Sequence, residues 1–243
     1  MEKSTRAAKI TRATAETEIT VSVSLDVTVG GNNDQTDVKT DRNGNDTGTT
    51  SEGVIGTNAG ITAGTNAKTN AASGVQIKTG CGFLNHMLTL FAFHSGFSLN
   101  IEARGDSEVD YHHITEDIGI ALGQCVKEAI GEGKGINRYA SFFLPMDEAL
   151  VLIALDISGR AYLNYDVAIK APKVGDFDTE LAQEFLMGLC RSLGLTLHVK
   201  QIYGENAHHI IEAIFKGLGR ALAIAASIDP AKQNAIPSTK GIL

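Results

Sequence analysis

The sequence predicts an α+β fold made of two tandem, duplicated half-domains, each a mostly antiparallel sheet with helices packed on one face. Three observations lead there. The pentad His-His-x-x-Glu occurs twice, as His112-His113-Ile114-Thr115-Glu116 and as His208-His209-Ile210-Ile211-Glu212, and each copy opens an apolar run of helical period. Ahead of each pentad a helical pattern passes through a glycine into an alternating strand: Gly82 to Leu90, Gly96 and Phe97 to Ile101 in one half, Gln183 to Leu189, Gly194 and Leu195 to Val199 in the other. Aligning Gly96 with Gly194 sets His86 opposite Glu184. Finally, the strand ending Ser24-Leu25-Asp26 resembles the one ending Ala154-Leu155-Asp156.

Taken in order, Ile19, Val21, Val23, Leu25 and Val27 alternate with polar residues, so 19–29 reads as a half-buried strand. Residues 30–75 are dominated by Gly, Asn, Thr, Asp, Ser and Ala, with a local echo (Gly56-Thr57-Asn58-Ala59, Gly64-Thr65-Asn66-Ala67) and no aromatic. Such a stretch has too little apolar surface to offset its ordering entropy and is expected to be a disordered or mobile insert. Its glycines match no phosphate-loop pattern. Helix 83–94, strand 97–104 and helix 112–130 complete a first half over 10–131. Strands near 148–157 and 160–170, helix 178–193, strand 195–202 and helix 208–227 form a second half over 138–228, followed by a tail at 229–243.

Composition narrows the function. The chain has 243 residues, 43% of them hydrophobic, enough for a sizeable core, and a net charge of −7 that leaves no basic footprint for nucleic acid. Cys81, Cys125 and Cys190 are widely spaced without a Cys-x-x-Cys, which points to free thiols in a reducing compartment. The longest apolar stretches fall short of a membrane span and no hydrophobic signal core precedes Thr14, so a cytoplasmic protein is expected.

Four of the seven histidines lie in the two pentads. His and Glu three or four places apart share a helix face, which is metal-ligand spacing, and imidazole plus carboxylate without thiolate suits Mn, Fe, Ni or Zn. Adjacent histidines diverge by about 100° on a helix, so one of each pair is expected to join its own Glu while the other turns to a different metal or a neighbouring subunit. His86 and Glu184 are further candidate ligands; His94 and His198 have weaker claims, His198 reading equally well as a satisfied strand residue. A cationic theme accompanies these. Arg138, Arg160, Lys216 and the tail Ser238-Thr239-Lys240-Gly241 stand at element edges or in loops, where several such groups can clamp one phosphate.

The segments Gly80-Cys81-Gly82-Phe83-Leu84-Asn85-His86-Met87-Leu88, Asp110 to Gly119, Asp147-Glu148-Ala149-Leu150, Asn206 to Ala213 and Pro237-Ser238-Thr239-Lys240-Gly241 together resemble the imidazoleglycerol-phosphate dehydratase family of histidine biosynthesis. The resemblance covers 10–29 and 77–243. It implies two Mn²⁺ ions per active site, a 24-subunit homo-oligomer with metal sites between subunits, and loss of water from imidazole glycerol phosphate to give imidazole acetol phosphate. It also implies metal ligation by His86, His112, His113, Glu116, His208, His209 and Glu212, with Glu184 where many members carry His. Substrate contacts are implied at Glu16, the span His86 to His94, Arg138, Arg160, Lys216, Ser238 and Lys240, with Thr239 between the last two. Departures from the family pattern are Asn85 and Tyr111, each in place of an Asp, and the long insert.

The chemistry asks for such groups. Dehydration removes a weakly acidic C–H proton and expels hydroxide beside an imidazole ring; a metal on the ring supplies electrophilic help, and a carboxylate moves the proton. Glu16 is the first choice for that carboxylate, with Glu116 and Glu212 as alternatives. Arg138, Arg160, Lys216 and Lys240 would anchor the phosphate at a fixed distance from the ions. The rival readings are a metal-storage or metal-sensing protein, which has no need of the cationic set, and a metal-dependent phosphoester hydrolase.

Deleting residues 32–72 and joining the ends by a short turn is expected to leave folding and turnover nearly unchanged, because a polar insert adds little core and a shorter loop closes at lower entropic cost. Loss of assembly or activity in the purified deletion protein would reveal a role for the insert.

Overall fold

A computed structural model of the chain describes residues 6–26 and 74–242. The polar insert, apart from Gly74 and Val75, lies outside the described residues, as does the end of the strand expected over 19–29.

The first half runs β1 (Ala7–Ala13), β2 (Thr17–Ser24), β3 (Val75–Lys78), α1 (Gly82–Ser95), β4 (Ser98–Gly105) and α2 (His112–Ile130). The second runs β5 (Tyr139–Met146), β6 (Ala149–Ile157), β7 (Tyr162–Asp166), a two-strand hairpin of β8 (Lys173–Val174) and β9 (Phe177–Asp178), α3 (Leu181–Leu193), β10 (Leu195–Tyr203) and α4 (Ala207–Ala226). The sheet orders are β1-β2-β4-β3 and β5-β6-β10-β7, each antiparallel except for the final parallel pair. The two halves therefore share one topology, as the repeated pattern predicts.

Strand β2 carries its apolar residues on alternate positions, with Ile19, Val21 and Val23 buried; β6 does the same with Val151, Ile153 and Leu155. This alternation gives each sheet one inner face. Onto the first sheet packs α2, onto the second α4, and across the middle α1 packs on α4 and α2 on α3. Helices thus fill the space between two sheets. Helices α1 and α3 both stop at a left-handed glycine, Gly96 (φ 71°) and Gly194 (φ 76°), a conformation open to glycine without steric penalty. No described helix is long and apolar enough to cross a membrane.

The structure departs from the pattern reading in several places. Strands β1 and β5 lie at sheet edges, where burial alternates along the chain but residue type does not: Arg12 turns inward on β1, and Tyr139 and Phe143 turn outward on β5. The strand expected over 160–170 is confined to Tyr162–Asp166. The helix expected from 178 starts at Leu181, because Phe177 is drawn into the core by the β8–β9 hairpin.

Register corrects one alignment. Ser24 pairs with Ser98, the second residue after Gly96, whereas Asp156 pairs with Thr196, the second residue after Gly194. Ser24 is therefore the counterpart of Asp156, where the strand pattern alone had suggested Asp26. A slip of two residues leaves an alternating pattern unchanged, so periodicity is blind to it. The corrected register makes Glu16, just before β2, the counterpart of Glu148, just before β6.

Across the middle layer the helices meet backbone to backbone. A Cβ on Gly188 of α3 would lie 2.7 Å from the Glu116 carbonyl oxygen, one on Gly123 of α2 would lie 2.6 Å from that of Leu189, and one on Gly119 would overlap the Phe185 carbonyl. Between α1 and α4, a Cβ on Gly219 would come within 2.6 Å of the Phe91 carbonyl. Gly188→Ala or Gly123→Ala should therefore lower stability by about 1–3 kcal/mol, the usual cost of overpacking. Denaturant midpoints measure this, and unchanged values would mean that these helices part without cost.

Candidate metal centre and active site

Helix α4 opens on Asn206, whose side chain accepts hydrogen bonds from the backbone N–H groups of His208 (2.9 Å) and His209 (3.4 Å). This cap satisfies two donors of the first turn and sets both histidines at a defined helix start. Glu212 follows one turn on, and His86 arrives from α1. The Nε2 of His208 is 3.1 Å and that of His86 3.7 Å from Glu212 Oε2, while Lys216 Nζ takes Glu212 Oε1 at 2.5 Å. One carboxylate oxygen thus faces two imidazoles while the other is tied to a lysine. Burial raises the Glu212 carboxyl, but the hydrogen bond and charge of Lys216, with His86 and His208, hold it below its ordinary value.

The donor atoms of His86, His208 and Glu212 lie within 4.8 Å of one another, so two imidazole nitrogens and a carboxylate oxygen converge from both halves of the chain. That set fits a first-row divalent cation. The His208 ring is backed by Phe83 at 5.1 Å, itself 5.2 Å from the buried Phe177. Asn85, ahead of His86, accepts from both the N–H and the hydroxyl of Thr79 at 2.9 Å, bonds that an Asp oxygen would also accept. The departure from Asp therefore keeps the local turn. Tyr111 instead reaches Asp176 through its hydroxyl at 3.3 Å.

The other pentad is arranged differently. His113 Nδ1 lies 2.9 Å from Asp106 and 3.5 Å from Glu16, and the Asp106 hydrogen bond raises its pKa. Glu116 faces Arg191 at 3.8 Å, and Glu184 is half-buried on α3, one turn before the glycine that touches the Glu116 carbonyl. Among the described residues, His112, Glu116 and Glu184 do not converge as tightly as the first triad. His209, the counterpart of His113, has its Nδ1 2.6 Å from Glu148 and its Nε2 3.6 Å from Asp147. In both pairs, then, one histidine is oriented by a carboxylate at Nδ1, as metal-binding histidines are.

Glu16 and Glu148 occupy equivalent positions but have different surroundings. Glu148 Oε1 accepts from the backbone of Asn206 (2.8 Å) and Oε2 faces His209; the His209 hydrogen bond and that backbone bond lower its pKa to about 2. The Glu16 carboxylate has only its 3.5 Å approach to His113 among the described residues. Sequence reading singled out Glu16 and passed over Glu148, Asp106 and Asp117. The signal for Glu148 was its place before a strand, hidden by the two-residue slip.

The cationic groups are dispersed in role. Arg138, left-handed at φ 74°, binds Asp156 through two nitrogens at 2.7 and 3.2 Å and donates to the Pro237 carbonyl at 2.8 Å, so it holds the tail beside Ser238. Arg160 donates to the Ser158 carbonyl at 3.3 Å, and Lys240 and Thr239 are exposed. His94 lies on α1 towards Lys216 and Arg220; burial and then those two cations lower its pKa. His198, on the exposed side of β10, meets Asn164 at 3.5 Å and the Tyr162 ring at 5.6 Å, away from the triad.

Residues 79–222 match the family described as imidazoleglycerol-phosphate dehydratase. A protein of that name from Azorhizobium caulinodans is 55% identical over 168 residues, covering 69% of this chain and 85% of the relative. One from Listeria welshimeri is 52% identical over 174 residues, covering 72% and 89%. The crystal structure of imidazoleglycerol-phosphate dehydratase from Staphylococcus aureus superposes with a TM-score of 0.67 at 38% identity, covering 92% of this chain and 99% of that one. That of the Pyrococcus furiosus enzyme in complex with (S)-C348 gives 0.69 at 36%, covering 96% and 100%.

The Glu148–His209 pair has a pH signature. The Glu148 carboxyl lies below its ordinary 4.5, so its contribution is present above that value and is lost as pH falls towards about 2. The His209 imidazole is raised from 6.5, so its contribution is present below 6.5 and is lost as pH rises past its folded value. In chelator-treated protein, the thermal-midpoint gap between wild type and Glu148→Gln should be widest between these values and shrink on acidification. A gap independent of pH would show that the pair does not contribute.

Proposed function

This chain belongs to the imidazoleglycerol-phosphate dehydratase family and is an enzyme of the hydro-lyase class, and we propose that it converts imidazole glycerol phosphate to imidazole acetol phosphate with two Mn²⁺ ions per active site. The observation that carries this reading is the convergence of His86, His208 and Glu212. These residues would hold one ion. His112, Glu116 and Glu184, on the facing α2 and α3, would hold the second. His113 and His209, each oriented at Nδ1 by a carboxylate from outside its pentad, would serve ions held with a neighbouring subunit, which supports a homo-oligomer of the family's 24-subunit kind.

Bound there, a divalent ion supplies Lewis acidity towards the imidazole of the substrate. The protein's own groups do the rest. Glu16, exposed and lightly bonded, takes the proton from carbon, for which a carboxylate not already engaged by strong partners is suited. Glu116 and Glu212 are reserved as ligands, since Glu212 is already shared among two imidazoles and Lys216. Arg160, Ser238, Thr239 and Lys240 bind the phosphate, with Arg138 organising the tail that carries three of them. Lys216 stays with Glu212, and His94 stands beside Lys216 and Arg220. Buried free Cys81, Cys125 and Cys190 support a reducing, cytoplasmic setting. Family membership sets aside the storage and phosphoesterase readings.

Purified protein should turn over imidazole glycerol phosphate and not generic phosphoesters. Chelation should abolish turnover, His208→Ala should remove both activity and bound manganese, and Arg160→Ala or Lys240→Ala should weaken substrate binding at unchanged metal content. Full activity in metal-stripped protein would overturn the metal reading, and unchanged substrate affinity in both cation variants would overturn the clamp.

A further inference from the structure

Asp117 follows Glu116 on α2, and its side chain turns the other way, into the protein, where the residue is 8% exposed. It accepts from Arg12 Nε at 2.9 Å on one oxygen and from the Thr17 hydroxyl at 2.5 Å on the other. Thr17 Oγ1 is in turn 3.1 Å from Thr14 Oγ1. A hydroxyl has one hydrogen, and an ionised carboxylate beside an arginine can only accept. Thr17 therefore spends its hydrogen on Asp117, and Thr14 is the donor in the threonine pair. The lone pairs of Thr14 Oγ1 then accept the backbone N–H groups of Glu16 (3.1 Å) and Thr17 (3.0 Å). The result is a directed chain of hydrogen bonds from the start of α2 to the peptide of Glu16. Gly105 closes the same corner, since a Cβ there would lie 3.1 Å from the Glu16 carbonyl oxygen.

The second half has no such chain. The residue after Glu212 is Ala213 and the residue after Glu148 is Ala149, so the counterparts of Asp117 and Thr17 cannot hydrogen-bond through their side chains. There the carboxylate itself is pinned, Glu148 by the Asn206 backbone and His209. The two halves fix equivalent glutamates by opposite means. Glu148 is held by its carboxylate, and Glu16 by its backbone, which leaves the Glu16 carboxylate available to move a proton. Burying the Asp117 charge carries a desolvation cost that a purely structural contact could avoid with the alanines used in the second half.

We propose that Asp117, acting through Thr17 and Thr14, is a positioning residue that aims Glu16 at the substrate without engaging its carboxylate. This rests on the assignment of Glu16 as the proton-carrying group. The test uses the manganese-loaded, assembled enzyme. Thr17→Val removes the hydroxyl at constant shape, Thr17→Ser keeps it, and Asp117→Asn removes the charge. Thr17→Val and Asp117→Asn should lower kcat about 10- to 100-fold, as misplacement of a reacting group does, with KM and metal content little changed. Thr17→Ser should retain wild-type kcat. In a Glu16→Gln background, Thr17→Val should cause no further loss, because the group it positions is gone. Wild-type kcat in Thr17→Val, or losses that add fully to that of Glu16→Gln, would overturn the inference. Wild-type turnover in Glu16→Gln alone would bring down the assignment of Glu16 itself, and the inference with it, so the two failures are told apart.

Discussion

The constraint on which the rest of the structure depends is the backbone-to-backbone contact of helices from opposite halves. Each half has a sheet with one apolar face and two helices, and the helices of one half are buried against those of the other. Glycines at 119, 123, 188 and 219 let main chains touch where any side chain would force them apart. Because α1 meets α4, ligands separated by more than a hundred positions in sequence become neighbours. Neither half alone contains the triad of His86, His208 and Glu212.

Electrostatics inside this frame is organised by sharing. Glu212 sits at low exposure, where an unpaired carboxylate is costly, yet Lys216 takes one of its oxygens and two imidazoles face the other. His113 and His209 are each oriented through Nδ1 by a carboxylate from outside their pentad, Asp106 and Glu148. Arg138 performs a comparable task for the tail, bridging Asp156 of β6 to Pro237. Apart from Lys216 on α4, the groups that hold ligands and tail in place come from strand ends and turns, while the ligands come from the first turns of helices.

Duplication has left the halves alike in topology and unlike in detail. The α1/α4 side gathers three donors, whereas on the α2/α3 side Glu116 turns to Arg191 and the equivalent of His86 is Glu184. Before β2 a glutamate keeps its carboxylate and is held by its peptide; before β6 its counterpart is tied at the carboxylate. Such divergence is how a symmetric scaffold comes to carry distinct roles at matched positions.

The sequence by itself determined the α+β class, the repeat, the helices at 83–94 and 112–130, and the ligand candidates on them, because helical period, glycine stops and pentad spacing are local properties. It could not determine the sheet edges: along β1 and β5 burial alternates but residue type does not, with Arg12 turned inward and Tyr139 and Phe143 outward. Nor could it decide the register of β2 against β6, since a shift of two residues preserves every inward and outward position, and Glu148 was invisible as the partner of Glu16 for that reason. Tertiary structure alone decided that His86 of the first half meets Glu212 of the second, and that Asp117 reaches back to Thr17. Those outcomes depend on helix crossing and strand register, quantities set by packing between segments distant in the chain and written in no single stretch of it.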